Sequence, residues 1–402
     1  MARRLPRPAE LAPLVGVRRP TLDLTQRRLA RALTIADLRA VARRRTPRAV
    51  FDYTDGAAEA EISLRRARRL FASLELTPSV LRDASQLHTS VTTLGAPAAV
   101  PFAFAPTGFT RMMHHEGEPA VARVAARRGI PYTLSTMSTT SLEEVARLGT
   151  GARLWFQLYV WRDHAAAADL VARAAAAGYG ALVLTVDVPV AGARLRDERN
   201  GLTIPPRLTA RALADMATHP AWWANLLTTQ PLEFASLSHW DAPVAELLDT
   251  LFDPSMTLDD LAWLRGLWDG PLVVKGITSV ADARRVVDAG ADAVVVSSHG
   301  GRQLDRSPVP LRLLPAVVEE VGDDAEVWLD SGVLSGADVV AGVALGARLV
   351  LVGRAYLYGL MAGGERGVDR AAAILTREVE RTMTLLGAAR VADLHPGMVR
   401  LP

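Results

Sequence analysis

From residue 101 onward the chain repeats one pattern: a short, almost wholly apolar run, then an alanine-rich stretch with helical spacing. The runs are Pro101–Pro106, Pro131–Ser135, Leu154–Tyr159, Ala181–Asp187, Pro271–Lys275, Ala293–Ser297, Glu326–Asp330 and Arg348–Val352. Runs without polar alternation read as strands buried on both faces, the condition of a parallel sheet. Between them lie helical segments such as Glu118–Arg128, Ala165–Ala177, Ser279–Ala289 and Ala337–Leu345. Gly129, Gly178, Gly290 and Gly346 stand at or just past their ends, where left-handed caps belong. Eight such units predict an α/β protein, a (β/α)8 TIM barrel. An open doubly wound sheet is the rival. It would carry Gly-x-Gly-x-x-Gly after its first strand, and this chain does not.

Two stretches depart from the repeat. Residues 1–100 precede it and show helical pattern over Thr34–Arg45 and Ala57–Phe71, which predicts an N-terminal helical cap. Between the fourth and fifth runs lie 83 residues, Val188–Gly270, an inserted loop of functional length. Its aromatics Trp222, Trp223, Phe234 and Trp240 predict that it packs on something. The expected organisation is therefore cap 1–100, barrel 101–386 with insert 188–270, and a C-terminal tail 387–402.

Composition narrows the chemistry. The 402 residues include no cysteine, which excludes disulfides, cysteine-ligated zinc, iron–sulfur clusters and a thiol nucleophile; no metal site is expected. No apolar run is long enough to span a membrane, and no continuous apolar stretch follows the basic first residues as in a signal peptide. A cytoplasmic location is expected. Residues 1–50 hold 13 arginines against Glu10, Asp23 and Asp37, leaving the remainder at +3 − 10 = −7. No aromatic interleaves with these arginines before Phe51, so a solvated helical face is favoured over nucleic-acid binding. Of the 46 basic residues only Lys275 is a lysine, and it closes the fifth run.

In a TIM barrel the chemistry gathers at the C-terminal ends of the strands. Here every run delivers polar or glycine residues to that rim: Pro106-Thr107-Gly108, Ser135, Gln157 with Tyr159, Thr185 with Asp187, Lys275, Ser297 to Arg302, Asp330 to Gly332, and Gly353-Arg354. Burial alone does not predict this. Gly332 and Gly353 end the last two strands, where such barrels bind phosphate through backbone amides, and Arg354 adds a fork-shaped charge. His299, flanked by glycine and three residues before Arg302, suits a base beside a carboxylate clamp.

Several of these segments resemble one family. SSHGGRQLD (Ser297–Asp305), LTVDVPVAGAR (Leu184–Arg194), APTGF (Ala105–Phe109), FQLYVWRD (Phe156–Asp163), VVKGI (Val273–Ile277) and the DSG of Asp330–Gly332 resemble the FMN-dependent α-hydroxy-acid oxidising enzymes, from about Ile35 to Leu386. RRTPRAVFDY, DVPVAGARLRDERNG, LLTTQPLEFASL and VGRAYLYGLMAGGE are most similar to the quinone-linked L-lactate dehydrogenases of actinobacteria within it.

The resemblance implies His299 as active-site base with Asp187 as its partner. It implies Arg302 and Tyr53 as anchors of the substrate carboxylate, Tyr159 near the substrate hydroxyl, Arg194 as a second arginine at the substrate, and Lys275 beside flavin N1 and C2=O. It implies FMN contacts from Pro106, Thr107, Gly108, Ser135, Gln157, Thr185, Lys275, Ser297, Asp330, Gly332, Gly353 and Arg354. The implied reaction oxidises a small L-2-hydroxy acid, L-lactate first, by loss of either the C2 or the hydroxyl proton to His299. A quinone acceptor, a homotetramer and peripheral contact with the inner face of the cell membrane are also implied, with Trp222, Trp223 and Leu226 as candidates for that contact. Two alternatives stand beside it: an oxidase forming hydrogen peroxide, and a flavin-binding scaffold without catalysis. The chain departs from the family at Ser298, where asparagine is usual, and at Leu334, where many members carry a phosphate-binding arginine. The second departure predicts loosely held FMN.

Overall fold

The computed structural model describes residues 7–11, 22–159, 163–202, 209–235 and 253–402. Eight parallel strands close into a barrel: β1 (Phe102–Phe104), β2 (Tyr132–Ser135), β3 (Leu154–Leu158), β4 (Leu182–Thr185), β5 (Leu272–Ile277), β6 (Ala293–Val296), β7 (Glu326–Leu329) and β8 (Leu349–Val352). All eight sit where the apolar runs predict them. The ring shuts where β8 pairs with β1, Val350 opposite Phe102 and Val352 opposite Phe104.

Alternation along each strand sorts two cores. Ala103, Trp155, Val183, Val273, Val295, Trp328 and Leu351 form one buried cluster inside the ring. Phe104, Leu134, Phe156, Leu184, Val274 and Val296 belong to a larger one beneath the helices. Trp155 and Trp328 stack at 4.9 Å and fill the barrel. A short hairpin, Val91–Thr93 with Ala96–Ala98, stands at the N-terminal end of the strands. It is tied there by Glu326, which accepts from Thr93 Oγ1 at 2.6 Å, Leu94 N at 2.8 Å and Trp328 Nε1 at 2.9 Å. The opposite mouth is left for chemistry.

The predicted helices are present as Gly117–Arg128, His164–Ala176, Val280–Asp288 and Gly336–Ala344. Gly129, Gly178, Gly290 and Gly346 all have positive φ, as a left-handed cap requires. The last helix, Arg354–Leu386, is interrupted at Gly363–Gly364. It holds the N-terminal segment through a side chain: Arg370 donates to the Ala32 carbonyl through Nε at 3.0 Å and Nη2 at 2.6 Å. At the other end of the chain, Val399–Arg400 pairs antiparallel with Glu75–Leu76.

Three expectations need correction. The helix expected over Ala57–Phe71 begins only at Ile62 and runs to Ser73. Residues 57–61 instead form a strap with Glu59 and Glu61 at positive φ. The amides of Ala58 and Glu59 go to the carbonyls of Gly301 and Ala193 rather than to a preceding turn. Just before the strap, an unexpected helix, Arg48–Asp55, starts behind Pro47 and stops at Gly56. Thirdly, Lys275 does not end β5. The strand continues to Ile277 across an irregularity at Gly276. Gly276 has φ +116°, and a Cβ there would lie 2.7 Å from Asp187 Cβ, so only glycine lets β5 pass Asp187.

Of the insert, helices Leu195–Arg199, Ala210–Ala217, Pro220–Leu227 and Leu258–Leu267 are described; Trp240 lies outside the described residues. Trp222 is buried and donates its indole N–H to the Met112 carbonyl at 2.8 Å. Phe234 is buried against Phe109, ring centroids 4.4 Å apart. Trp222 therefore packs on the barrel and is not a free wedge at a membrane; Trp223 and Leu226 pack partly on the same core.

Candidate active site

A cleft of about 1230 Å³ opens at the C-terminal mouth of the barrel. Tyr53, Pro106, Thr107, Gly108, Ser135, Tyr159, Arg194, Lys275, His299, Arg302, Asp330, Gly332, Gly353 and Arg354 line it. Gln157, Thr185 and Ser297 lie buried just beneath them, and Asp187 stands behind His299. All the residues singled out in the sequence converge on one place.

Each strand end contributes differently. After β6 the chain turns through a short 3-10 segment, His299–Gly301. His299 itself has φ +54°, a backbone state costly for a non-glycine residue. Several hydrogen bonds hold it there. Ser331 Oγ accepts from Ser298 N at 3.1 Å and from Gly300 N at 3.0 Å, and donates to Asp330 Oδ1 at 2.6 Å. Asp330 Oδ2 meets Lys275 Nζ at 3.1 Å. Lys275 Nζ also donates to Ser297 Oγ at 3.3 Å, which accepts from His299 N at 3.0 Å. The buried cation and the histidine loop thus belong to one closed network.

His299 Nδ1 lies 3.0 Å from Asp187 Oδ1. Burial would raise the Asp187 carboxyl, but the charge and hydrogen bond of His299, with Lys275 beyond, hold it below its ordinary value. Lys275 is likewise pushed down by burial and carried above its ordinary value by Asp330 and Asp187. Gln303 pins the start of the insert to this loop: its Nε2 donates to the Asp187 and Val190 carbonyls at 3.3 and 3.0 Å, and its Oε1 accepts from Gly192 N at 3.2 Å.

The other wall is cationic. The Arg302 and Arg194 guanidinium carbons lie 4.8 and 5.4 Å from the Tyr53 ring centre. Arg302 Nη1 donates to the Tyr53 carbonyl. Burial lowers the Arg302 pKa to about 10, with Arg194 adding to the shift, so it stays charged at neutral pH. Burial raises the Tyr159 hydroxyl, which remains protonated. Arg196 braces this wall by bridging Asp52, Asp55 and Glu61 at 3.4, 3.2 and 2.5 Å. The insert and the N-terminal segment are joined there.

The cleft fits a flavin on its own features. Gln157 Nε2 is a buried donor with no partner among the described residues, although Oε1 of the same amide accepts from Ser135 Oγ at 3.0 Å. An amide donor left over at such a site suits a ring carbonyl. A Cβ at Gly353 would stand in ordinary contact with Ala105 Cβ at 3.7 Å and Thr107 Cγ2 at 3.9 Å, so glycine there leaves room in the cleft that a side chain would take. Gly108 has a different reason: a Cβ there would lie 2.7 Å from Met137 Cβ.

Sequence reading gave no role to Ser331, Gln303 or Arg68, all of which line or brace the cleft. Arg68 is one arginine among four in five residues, and composition cannot say which of them turns inward.

The C-terminal mouth of the parallel barrel thus joins a His–Asp pair, a buried lysine and a two-arginine wall. Residues 42–401 match the model of the FMN-dependent dehydrogenases, and the chain belongs to that family. A Mycobacterium tuberculosis protein provisionally named L-lactate dehydrogenase is 56% identical over 98% of this chain and 95% of its own length. The L-lactate dehydrogenase of Caulobacter vibrioides is 44% identical over 89% and 95%. Among solved structures, the monotopic membrane protein (S)-mandelate dehydrogenase superposes with TM-score 0.88 at 37% identity, covering 92% of this chain and 99% of that one.

Proposed function

We propose that this protein oxidises a small L-2-hydroxy acid, L-lactate first, to the 2-oxo acid. FMN, the cofactor of its family, would supply the two-electron acceptor. The observation that carries the reading is the His299–Asp187 pair at 3.0 Å facing a wall built of Arg302, Arg194 and Tyr53. A carboxylate placed on two guanidiniums is held by charge-assisted, directional hydrogen bonds. With Nδ1–H given to Asp187, His299 keeps Nε2 as its basic atom, and Asp187 stabilises the imidazolium formed when that atom takes a proton from the substrate. Tyr159, protonated, would face the substrate hydroxyl. Lys275, a compact buried positive charge, would stabilise the negative charge that a bound flavin gains on reduction. Pro106, Thr107, Gly108, Ser135, Gln157, Thr185, Ser297, Asp330, Gly332, Gly353 and Arg354 would hold the cofactor.

The names of the two relatives support lactate as substrate. A quinone as next acceptor extends the same reading. Among the described residues no helix is long and apolar enough to cross a membrane. The likeness to a monotopic membrane protein supports peripheral membrane contact, and the exposed face of the insert is the surface proposed for it. There Leu227 and Leu213 are exposed while Trp222 faces the barrel. Self-association as a homotetramer completes the proposal.

Steady-state turnover of L-lactate with a soluble quinone analogue, set against oxygen, tests the proposal. Pyruvate formed with quinone reduction, and little peroxide, supports it. Peroxide equal to the lactate consumed would make the protein an oxidase instead.

A further inference from the structure

The arginine expected at the cofactor phosphate is already heavily committed. Arg354 donates Nε to the Thr54 carbonyl at 2.8 Å, Nη1 to Gly300 at 2.9 Å and Nη2 to Gly56 at 2.6 Å. Three of the five N–H donors of a guanidinium are spent on backbone. The next place where the family pattern offers an arginine holds Leu334.

A second guanidinium nevertheless reaches the same region from the N-terminal segment. Arg68, on the helix Ile62–Ser73, lines the cleft together with Gly332, Leu334, Gly353 and Arg354. Its Nη1 donates to the Gly332 carbonyl and to Asp338 Oδ2, the latter at 2.7 Å. Its stem lies against Phe71, with the guanidinium carbon 5.5 Å from the ring centre. Nε and Nη2 meet no protein acceptor among the described residues, which leaves one edge of the fork open. Gly332 explains how the helix comes so near: a Cβ at that left-handed position would lie 3.0 Å from Ala67 Cβ. Asp338 offsets the charge only in part, because its Oδ2 also accepts from Leu334 N at 2.8 Å and Ser335 N at 3.1 Å.

We propose that Arg68 is a ligand of the FMN phosphate, standing in space where the chain lacks an arginine at position 334. A planar fork with one open edge matches two phosphate oxygens. The cleft then holds the phosphate between Arg68 and the Gly353-Arg354 turn. The cap helix becomes part of the cofactor site, and the loose binding that Leu334 predicts is offset. The inference rests on FMN occupying this cleft.

Flavin exchange in the holoenzyme tests it. Protein is equilibrated with a mixture of FMN and riboflavin, which lacks the phosphate, and the ratio of the two bound flavins is measured after rapid desalting. Arg68→Gln should lower the preference for FMN about 10- to 100-fold, the loss expected for one charge-assisted contact. Arg68→Gln combined with Leu334→Arg should regain most of it. If Arg68 only braces the Gly332 loop, both flavins weaken together; an unchanged ratio overturns the proposal. Arg68→Met keeps the stem on Phe71 and is read the same way if the glutamine variant does not fold. Failure of the wild type to take up either flavin would instead sink the functional reading itself.

Discussion

The Ser331 hydroxyl offers the sharpest perturbation of the base without touching it. Ser331→Ala removes the acceptor of a buried amide, Ser298 N at 3.1 Å, and of a half-buried one, Gly300 N at 3.0 Å, and the donor to Asp330 at 2.6 Å. Each amide left unsatisfied costs about 1–3 kcal/mol. The two share one loop, so a joint local cost of about 2–4 kcal/mol is expected. His299 holds φ +54° between these amides, and its relaxation moves the imidazole relative to the substrate. A displacement of about 1 Å at a reacting group lowers a rate roughly 10²-fold. The assay is flavin reduction by L-lactate in anaerobic stopped flow, with KM read alongside. The rate should fall 10- to 100-fold while KM changes little, because Arg302 and Arg194 are untouched. Ser331→Gly separates strain from hydrogen bonding. It relieves the φ of +77° at that residue, so it should be less destabilised than the alanine variant yet equally slow. Reduction within twofold of wild type in both variants would refute the argument.

Other consequences follow from the same geometry. Lys275→Arg keeps the charge but forces a broad fork into a site where the side chain is 4% exposed, so flavin reduction should slow; wild-type rates would contradict the fit. Asp187→Asn should leave FMN bound and slow reduction by several orders of magnitude, since the amide no longer stabilises an imidazolium; a loss under tenfold would remove Asp187 from the mechanism. Asp55 binds Arg39 at 2.5 and 2.8 Å and Tyr358 Oη at 2.9 Å. Burial works to raise its carboxyl, but these partners hold it below its ordinary value. Its stabilisation is therefore present above the unfolded pKa of about 4 and lost as pH falls through the lowered folded value. Asp55→Asn should abolish that part of the acid dependence of the melting temperature. Leu227→Glu should reduce co-sedimentation with anionic liposomes, and equal binding would place any membrane contact elsewhere.

The barrel was legible because its strands are buried on both faces, which leaves apolar runs free of alternation, and because glycines mark the helix ends. The catalytic rim was legible for a related reason: polar residues after apolar runs have no packing explanation, and the fold brings all such ends together. Local signals failed where tertiary hydrogen bonds override them. Residues 57–61 have helical composition, yet the Ala58 and Glu59 amides are satisfied by Gly301 and Ala193. Lys275 closes the apolar run, yet the strand goes on to Ile277 because glycine at 276 lets it clear Asp187. The inward turn of Arg68 and the bracing by Ser331 depend on neighbours distant in the chain, and no spacing along it encodes them.

The proposed role of His299 is to remove the substrate proton in the cleft that would hold FMN. Anaerobic mixing of the holoenzyme with L-lactate, followed at the visible flavin absorbance, tests it most directly. Rapid bleaching is expected in the wild type, and bleaching slower by about three orders of magnitude or more in His299→Gln, with FMN still bound. No bleaching by any 2-hydroxy acid, or bleaching at the wild-type rate without His299, would contradict it.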